Sequence, residues 1–391
     1  MADVVRRYGR AYCAAHPVTQ AQRRVLRDIE QCRTAAFGGH VEVCDRCGER
    51  KISYNSCRNR HCPKCQSLAK ARWLEQRQAE LLPVEYFHVV FTVPEQVAQV
   101  ALWNQRLLYD ILFSAAAETL RTIAADPKHL GAEIGFLAVL HTWGQNLLHH
   151  PHLHCVVPGG GLDASRRRWV SCRRGFFLPV KVLSRLFRRL FVDKLREAQR
   201  ADRLALPGAL AELQQPGAFA ALLRDLSEIE WVVFAKPPFA GPQQVLDYLA
   251  RYTHRVALSN DRIEQIADDK VTFRWKDYRH GNRKRRTALD ANEFLRRFLL
   301  HVLPLGFVRL RHYGMLANRH RAERIARARE LLGCPTAPAA TKPAVPWEAL
   351  VEKLTGIDPR RCPACRQGTL VALATLLAPA ARNRPFPTDS S

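Results

Sequence analysis

The chain has 391 residues, 47% of them apolar, which is enough for two or three domains with a real core. Its 61 Lys and Arg against 36 Asp and Glu leave a formal net charge of +25. This excess favours a polyanionic partner, nucleic acid first and an anionic membrane surface second. No apolar stretch approaches the roughly 20 residues of a transmembrane helix, and the N-terminus lacks the apolar core of a signal peptide. We therefore expect a cytoplasmic, nucleoid-associated protein without a membrane partner.

Helical and extended patterns follow one another along the chain. Apolar spacing predicts helices over 1–35 and 67–82, with a cysteine-rich loop region at 36–66 between them. The later predicted elements are a strand at 86–93, a helix at 96–125, strands at 134–143 and 152–158, helices at 180–200 and 208–227, a strand at 230–238, a helix beginning at 241, short strands within 262–275 and a helix at 291–302. Composition predicts a linker at 334–346 and a disordered tail at 378–391.

Six of the twelve cysteines lie between positions 32 and 65. Two CxxC pairs separated by fourteen residues predict one four-sulfur site for a structural Zn²⁺, with the ligands Cys44, Cys47, Cys62 and Cys65. Four other residues in or near this region could replace one ligand or build a second site: Cys32, His40, Cys57 and His61. The basic residues around these cysteines indicate a zinc-folded DNA-reading module.

A third CxxC pair, Cys362 and Cys365, looks like half of a zinc ribbon. No partner pair is evident beside it in the sequence. A degenerate remnant or a redox-inert loop is the favoured interpretation, and a metal site is the alternative.

The segment "HHPHLHCVV" at 149–157 predicts a strand with two histidines on one face, because side chains alternate along a strand. His152 and His154 share that face and could bind one divalent ion. His141 ends the preceding predicted strand and could supply a third ligand if the two strands are adjacent. Weaker candidates for the third ligand are Gln145, His149 and His150. The alternative is that these histidines are polar surface.

The segment "DYLARYTHRV" at 247–256 carries two tyrosines four positions apart on a predicted helix. Tyr248 and Tyr252 would share one helix face, which most often means core packing. Their flanking residues, however, include Arg251 and Arg255. A tyrosine hydroxyl beside a metal-bound phosphodiester is a nucleophile for DNA strand transfer. The resulting 5′-phosphotyrosine bond can be reversed by the free 3′-OH without ATP.

Together these segments resemble the rolling-circle transposases of the insertion-sequence 91 family, which are His-hydrophobic-His single-strand endonucleases. The resemblance is carried by the front cysteine module and by the segments at 141–162, 248–260, 273–279 and 294–321. It implies an α+β fold, in which a central antiparallel sheet with flanking helices is joined to a small N-terminal zinc-binding module. The implied domains are a helical and zinc-binding DNA-recognition module at 1–82, a nuclease domain at 83–330, and a C-terminal linker, CxxC segment and tail at 331–391.

The resemblance also implies residue roles. His141, His152 and His154 would hold a divalent cation, Mg²⁺ or Mn²⁺, while Tyr248 and Tyr252 would act as alternating nucleophiles. The protein would nick and rejoin single-stranded DNA at mobile-element ends and use target DNA. Strand displacement would need a host helicase or replication machinery, because the chain has no GxxxxGK[ST] phosphate loop.

DNA contacts are expected from basic and aromatic residues in two segments, Arg251, Arg255, Trp275, Lys276 and Tyr278, with Trp143 as a further base-stacking candidate. Two alternatives to a transposase are kept. One is a plasmid replication initiator or relaxase-like nickase, and the other is a non-catalytic zinc-finger DNA-binding regulator.

Overall fold

A computed structural model describes residues 1–78, 80–236, 244–245, 257–277, 281, 283–334 and 345–379 of the chain. The α-helices in these ranges are α1 (Ala2–Ala15), α2 (Gln20–Glu30), α3 (Gln66–Gln78), α4 (Glu95–Trp103), α5 (Gln105–Ala125), α6 (Val180–Arg200), α7 (Ala218–Glu228), α8 (Ala291–Leu299), α9 (Arg321–Leu331) and α10 (Trp347–Thr355). The strands are β1 (Gly39–Cys44), β2 (Arg50–Tyr54), β3 (Tyr86–Thr92), β4 (Gly135–Trp143), β5 (His149–Pro158), β6 (Gly160–Leu162), β7 (Trp169–Ser171), β8 (Val233–Lys236), β9 (Ile263–Ala267), β10 (Lys270–Asp277), β11 (Arg283–Asp290), β12 (Leu310–Gly314) and β13 (Leu370–Leu376).

The predicted strand at 134–143 and the predicted helix at 180–200 are confirmed as β4 and α6. The single helix predicted over 1–35 is wrong in its extent, because the chain forms α1 and α2 with a break between them. Thr19 begins α2 with a capping box, in which its hydroxyl accepts from the Gln22 N–H while the Gln22 side chain accepts from the Thr19 N–H. The region predicted as loop at 36–66 contains the hairpin of β1 and β2.

The central sheet has the strand order β12-β4-β5-β3-β8, and every pairing in it is antiparallel. The expected α+β class is therefore confirmed. A short connection, 144–148, joins β4 to β5, and the Gly144 N–H donates to the Leu148 carbonyl at 3.0 Å. Such a short link makes consecutive strands antiparallel neighbours.

One face of the central sheet packs on helices α4 to α7 and forms the largest core. Phe91 of β3 meets Phe187 of α6 edge to face, with ring centroids 4.9 Å apart, and both rings are fully buried. Burying each such ring contributes roughly 1.5–3 kcal/mol. This apolar layer makes the sheet a rigid support for whatever its opposite face carries.

A second core joins the N-terminal helices to the small sheet β9-β10-β11 and to α8. Val5 and Leu26 from the front helices are buried with Phe273 of β10 and Phe294 of α8. Residues on either side of the expected boundary at position 82 thus share one apolar interior.

The third sheet, β13-β1-β2, joins the two ends of the described chain. Leu370 pairs with Cys44, and Leu376 pairs with Gly39. Part of the segment expected to be a separate C-terminal region is therefore an edge strand of the front hairpin. None of the described helices combines the length and the apolar character needed to cross a membrane.

Candidate functional site

Three histidines meet on the face of the central sheet opposite the large core. Their ligand nitrogens lie within 4.8 Å of one another, and we call His141, His152 and His154 the histidine cluster. His141 of β4 stands directly opposite His152 of β5, and His154 lies two positions further along β5. The structure thus brings together the three residues that strand alternation and the upstream strand predicted.

Strand register places a grid of side chains on this face. Its three rows across the strands are His141–His152–Thr92, Val139–His154–Val90–Phe234 and Leu137–Val156–His88–Lys236. A β-bulge follows His141, and the Trp143 ring stacks on the His141 imidazole with centroids 4.7 Å apart. Trp143 is buried there, so it supports the cluster and is not exposed for base stacking.

Hydrogen bonds orient two of the imidazoles. His152 Nδ1 lies 2.6 Å from the His150 carbonyl, so this nitrogen carries the proton in the neutral ring and donates. Its Nε2 lone pair is then the atom available to a metal. His154 Nδ1 lies 2.8 Å from Nε2 of His88, and the two rings are stacked. A partner on the second nitrogen is the usual way to fix the orientation of a metal-binding histidine.

His88 is a site residue that the sequence reasoning missed. It is 1% exposed, and burial, followed by the charges of Lys236 and His152, lowers its pKa to about 3. A neutral His88 has one N–H and one lone pair, so it can accept from His154 Nδ1 and leave Nε2 of His154 for a metal. In the sequence, His88 sits in an apolar strand buried on both faces, and no polar alternation singles it out.

The histidine cluster opens to solvent on one side. His141 and His154 are buried, whereas His152 is only half-buried. Along the row that contains His154, the chain places Phe234 on the outer strand β8 with 50% of its surface exposed. Lys236 lies on the same face of β8 and is also exposed. An open coordination side beside an aromatic and a cation suits a phosphodiester substrate.

The weaker ligand candidates are His149, His150 and Gln145. His149 Nε2 contacts the Tyr109 hydroxyl at 2.9 Å, and its Nδ1 contacts the Ala98 carbonyl at 3.1 Å, so the ring belongs to the helix-packed side. Burial lowers its pKa to about 4. His150 lies beside His152, with ring centroids 5.2 Å apart, but does not group with the three histidines of the cluster. Gln145 lies in the connection between β4 and β5.

The predicted nucleophiles Tyr248 and Tyr252 lie outside the described residues, as do Arg251, Arg255 and Tyr278. Of the segment before the tyrosines, Val245 is described. It is buried in the same apolar cluster as Leu137, Val139 and Val156, which belong to the histidine-bearing face of the sheet.

Two predicted DNA contacts can be placed on β10. Trp275 is half-buried against the second core, and its indole N–H donates to the Thr287 hydroxyl at 2.7 Å, so it points away from the outer face. Lys276 is exposed on the outer face, which also carries Arg274, Lys284 and Arg286.

The cysteines form two clusters rather than the single four-sulfur site that was predicted. The first, here called the finger cluster, contains Cys32, Cys57, Cys62 and Cys65. The second, here called the terminal cluster, contains Cys44, Cys47, Cys362 and Cys365. The predicted grouping of Cys44 and Cys47 with Cys62 and Cys65 is therefore wrong. The alternative in which Cys32 and Cys57 take part is the one that matches the structure, while His40 and His61 belong to neither cluster.

The hairpin explains why the predicted grouping fails. Cys44 and Cys47 lie at its turn, whereas Tyr54 ends β2 at the opposite end, where it pairs with Gly39. Five strand residues span roughly 17 Å, too far for one ion to bind sulfurs from both ends. At the far end the Arg33 N–H donates to the Asn55 carbonyl, which brings Cys32 to the following cysteines.

Within the finger cluster, Cys65 Sγ lies 3.2 Å from Cys32 Sγ and 3.4 Å from Cys57 Sγ. These separations exceed the roughly 2.05 Å of a disulfide bond. Hydrogen bonding with the Cys57 thiol, followed by that with Cys62, lowers the pKa of Cys65 and favours a thiolate. The donor set suits Zn²⁺.

Comparisons with known proteins agree with this architecture. A family model described as "Putative transposase" matches residues 135–324, and one described as "Transposase zinc-binding domain" matches residues 4–93. The chain is 60% identical over 375 residues to "Putative transposase y4qJ" of Sinorhizobium fredii (strain NBRC 101917 / NGR234), across 95% of this chain and 94% of that relative. The chain belongs to the insertion-sequence 91 family of transposases.

The transposase is also 27% identical over 377 residues to "Transposase for insertion sequence element IS801" of Pseudomonas savastanoi pv. phaseolicola, across 90% of this chain and 85% of the relative. No solved structure matches it. The first family match runs from β4 to α9 and includes the histidine cluster. The zinc-binding match includes the whole finger cluster but only half of the terminal cluster, and together with these clusters it supports a structural Zn²⁺.

Proposed function

We propose that this transposase nicks and rejoins single-stranded DNA at the ends of a mobile element through 5′-phosphotyrosine intermediates formed on Tyr248 and Tyr252. The observation that carries the proposal is the convergence of His141, His152 and His154 on one open face of the central sheet. A regulator that only binds DNA does not need three imidazoles held together on a sheet.

The histidine cluster can hold a divalent cation, and the family resemblance favours Mg²⁺ or Mn²⁺ there. Three neutral imidazoles on neighbouring strands each carry one lone pair, and the hydrogen bonds at His152 and His154 determine which nitrogen of each ring carries it. When bound, the cation polarises the scissile phosphate and stabilises charge on the leaving 3′ oxygen. The half-buried side of His152 leaves room for the phosphate to approach.

The tyrosines supply the attacking group. Tyr248 follows Val245 by three positions, a separation of at most about 11 Å along an extended chain. Because Val245 packs against the histidine-bearing face, this supports placing the nucleophile near the cluster. The phenol oxygen attacks phosphorus and gives its proton to water, and the bond to the 3′ oxygen breaks. The leaving 3′ oxygen takes a proton from water to become a free 3′-OH. The second tyrosine takes the strand at the other end or at the target, so the bond energy is conserved.

The same face offers contacts for an unpaired strand. Phe234 presents a half-exposed ring beside the histidine cluster, and Lys236 lies one row further. A base can stack on the ring while the ammonium contacts the backbone. The net charge of +25 adds long-range attraction for DNA. Strand displacement then falls to a host helicase or the replication machinery.

The test uses the full-length protein, Mn²⁺ or Mg²⁺, and single-stranded oligonucleotides that span the element ends. We expect a covalent protein–DNA band that survives boiling in detergent. The band should be lost in the double variant Tyr248→Phe/Tyr252→Phe and retained in Tyr54→Phe, which changes an exposed tyrosine of β2. Peptide mapping should find the DNA on Tyr248 or Tyr252.

A band that persists in the double variant would reject these nucleophiles. The absence of a band on every end tested would favour the non-catalytic regulator. Cleavage confined to a plasmid origin would favour a replication initiator or relaxase-like nickase.

A further inference from the structure

The terminal cluster lies partly outside the zinc-binding match, because Cys362 and Cys365 are more than 250 residues beyond its end at residue 93. Cys44 Sγ lies 3.7 Å from Cys365 Sγ, and Cys47 Sγ lies 3.7 Å from Cys362 Sγ. In a tetrahedral zinc site with Zn–S bonds of about 2.3 Å, the sulfurs are about 3.8 Å apart. The observed spacing therefore matches a metal and is far too long for disulfides.

The two CxxC turns share one backbone hydrogen bond and a left-handed residue at the same position. Four positions after its first cysteine, each turn donates an N–H back to that cysteine's carbonyl, Gly48 to Cys44 at 3.1 Å and Arg366 to Cys362 at 3.0 Å. Gly48 has φ 72° and Arg366 has φ 56°. A left-handed conformation is uncommon for arginine, so its occurrence at the equivalent position shows that the turn geometry is imposed. Two equivalent knuckles face each other, as in a zinc ribbon.

Backbone groups point at the sulfurs as they would at thiolates. The Cys47 N–H approaches Cys44 Sγ at 3.5 Å, and the Gly368 N–H approaches Cys365 Sγ at 3.3 Å. Contacts of this kind orient the sulfurs, as outer hydrogen bonds orient the ligands of a metal site. Gly368 also lies so close to Cys44 Sγ that a Cβ there would collide with the sulfur. The turn that follows Cys365 therefore packs closely against the sulfur of Cys44.

Apolar packing around these turns is sparse. The buried group contains Leu370 and the cysteines themselves. Val371 and Leu373 of β13 are each about half exposed. So small a core does not hold an edge strand by burial alone, and in small modules of this kind the metal supplies the folding free energy.

We propose that the terminal cluster binds a second structural Zn²⁺, which fastens the C-terminal strand β13 to the front hairpin. The ion would close the third sheet at the end where the Asp45 N–H donates to the Thr369 carbonyl at 3.1 Å. The C-terminal segment also reaches α3, where Lys353 pairs with Glu75 at 3.9 Å. Trp73 of α3 packs on the histidine-bearing face, so the second zinc anchors a segment that borders the candidate nuclease site.

The zinc content of full-length protein tests this proposal. Elemental analysis after desalting should give two zinc ions per chain. The variants Cys362→Ser/Cys365→Ser and Cys44→Ser/Cys47→Ser should each give one, and the quadruple variant should also give one. Cys334→Ser, a matched control close to the C-terminal pair in sequence, should keep two. A wild type with one zinc, or a Cys362→Ser/Cys365→Ser variant with two, would overturn the proposal.

Site-resolved alkylation separates a shared metal site from general misfolding. In Cys44→Ser/Cys47→Ser, mass spectrometry should find Cys362 and Cys365 newly alkylated, while Cys57 and Cys62 of the finger cluster stay protected. Protection of Cys362 and Cys365 in the wild type should survive a reductant and be lost with a strong chelator. Unchanged protection in the variant, or protection lost to the reductant alone, would show that the two pairs do not share a zinc ion.

Discussion

The histidine cluster and the two cysteine clusters are built on different kinds of support. The histidines stand on the central sheet, whose opposite face is sealed by the largest apolar core of the described residues. The cysteines lie in turns, and the terminal cluster has little buried apolar surface around it. The comparison leads us to expect that a metal bound by the histidines would serve the chemistry of a fold that is stable without it, in contrast to a metal bound by the cysteines. A metal at the cysteines holds the fold together.

The largest expected effect is on catalysis without a loss of stability. His152→Ala should reduce formation of the covalent DNA product by on the order of 10³-fold, because the cation is lost from the scissile phosphate. The melting temperature should change by no more than about 3 °C, since His152 is half-buried and lies outside the apolar core. Oligonucleotide cleavage and thermal denaturation give the two readouts.

His312→Ala is the matched control for this prediction. His312 lies on β12 opposite Leu137, on the same face of the sheet, but it is not part of the cluster. The His312→Ala variant should form the covalent DNA product at a rate within about threefold of the wild type, which corresponds to under 1 kcal/mol in the activation free energy. A large fall in the melting temperature of His152→Ala would mean that His152 stabilises the fold, and the contrast with the cysteines would fail.

At the finger cluster we expect a substitution to reduce stability. Cys57→Ser should lower hydrogen-exchange protection of the β1–β2 amides by on the order of 10²-fold, because zinc binding is part of the folding free energy there. Amides of β4 and β5 should keep their protection. Cys172→Ser changes a half-buried thiol outside both clusters and should alter neither region. If Cys57→Ser lowered protection equally in the hairpin and in the central sheet, zinc binding would stabilise the whole fold and not the hairpin in particular.

His88 is expected to affect metal binding at the histidine cluster without contacting the metal itself. His88→Ala should weaken Mn²⁺ binding by about 10- to 100-fold, because His154 loses the partner that orients its ring. Saturating Mn²⁺ should restore most of the cleavage rate, and His88→Asn should recover part of the affinity. Titration of the metal against cleavage measures both. A rate that stays low at saturating metal would give His88 a role other than orienting His154.

The smallest expected effect is on DNA binding alone. Phe234→Ala should weaken single-stranded DNA binding by about 5- to 100-fold, the range expected for one lost base-stacking contact. Trp103→Ala removes an aromatic that is 62% exposed on α4 and serves as the control. Fluorescence anisotropy at fixed salt compares the two. If the two substitutions weakened binding equally, the single-stranded DNA would not bind along the histidine-bearing face.

Much of the histidine site was predictable because its signals are local. Alternation along β5 places His152 and His154 on one face, and the short connection to β4 brings His141 opposite. His88 could not be found this way. Its strand is buried on both faces, so its sequence is apolar at nearly every position and carries no periodic mark.

By itself, the sequence determined the transposase family, the α+β class, the histidine cluster and the presence of cysteine pairs with zinc-ligand spacing. Those properties depend on neighbouring residues or on the short β4–β5 connection. Only the tertiary structure decided which cysteines stand together. The partners of Cys44 and Cys47 lie 321 and 315 positions away along the chain. Cys62 and Cys65 are nearer in sequence, but β2 leads the chain to the opposite end of the hairpin before them. Spacing along a chain specifies a ligand pair, but long-range strand pairing selects the pair that completes the site.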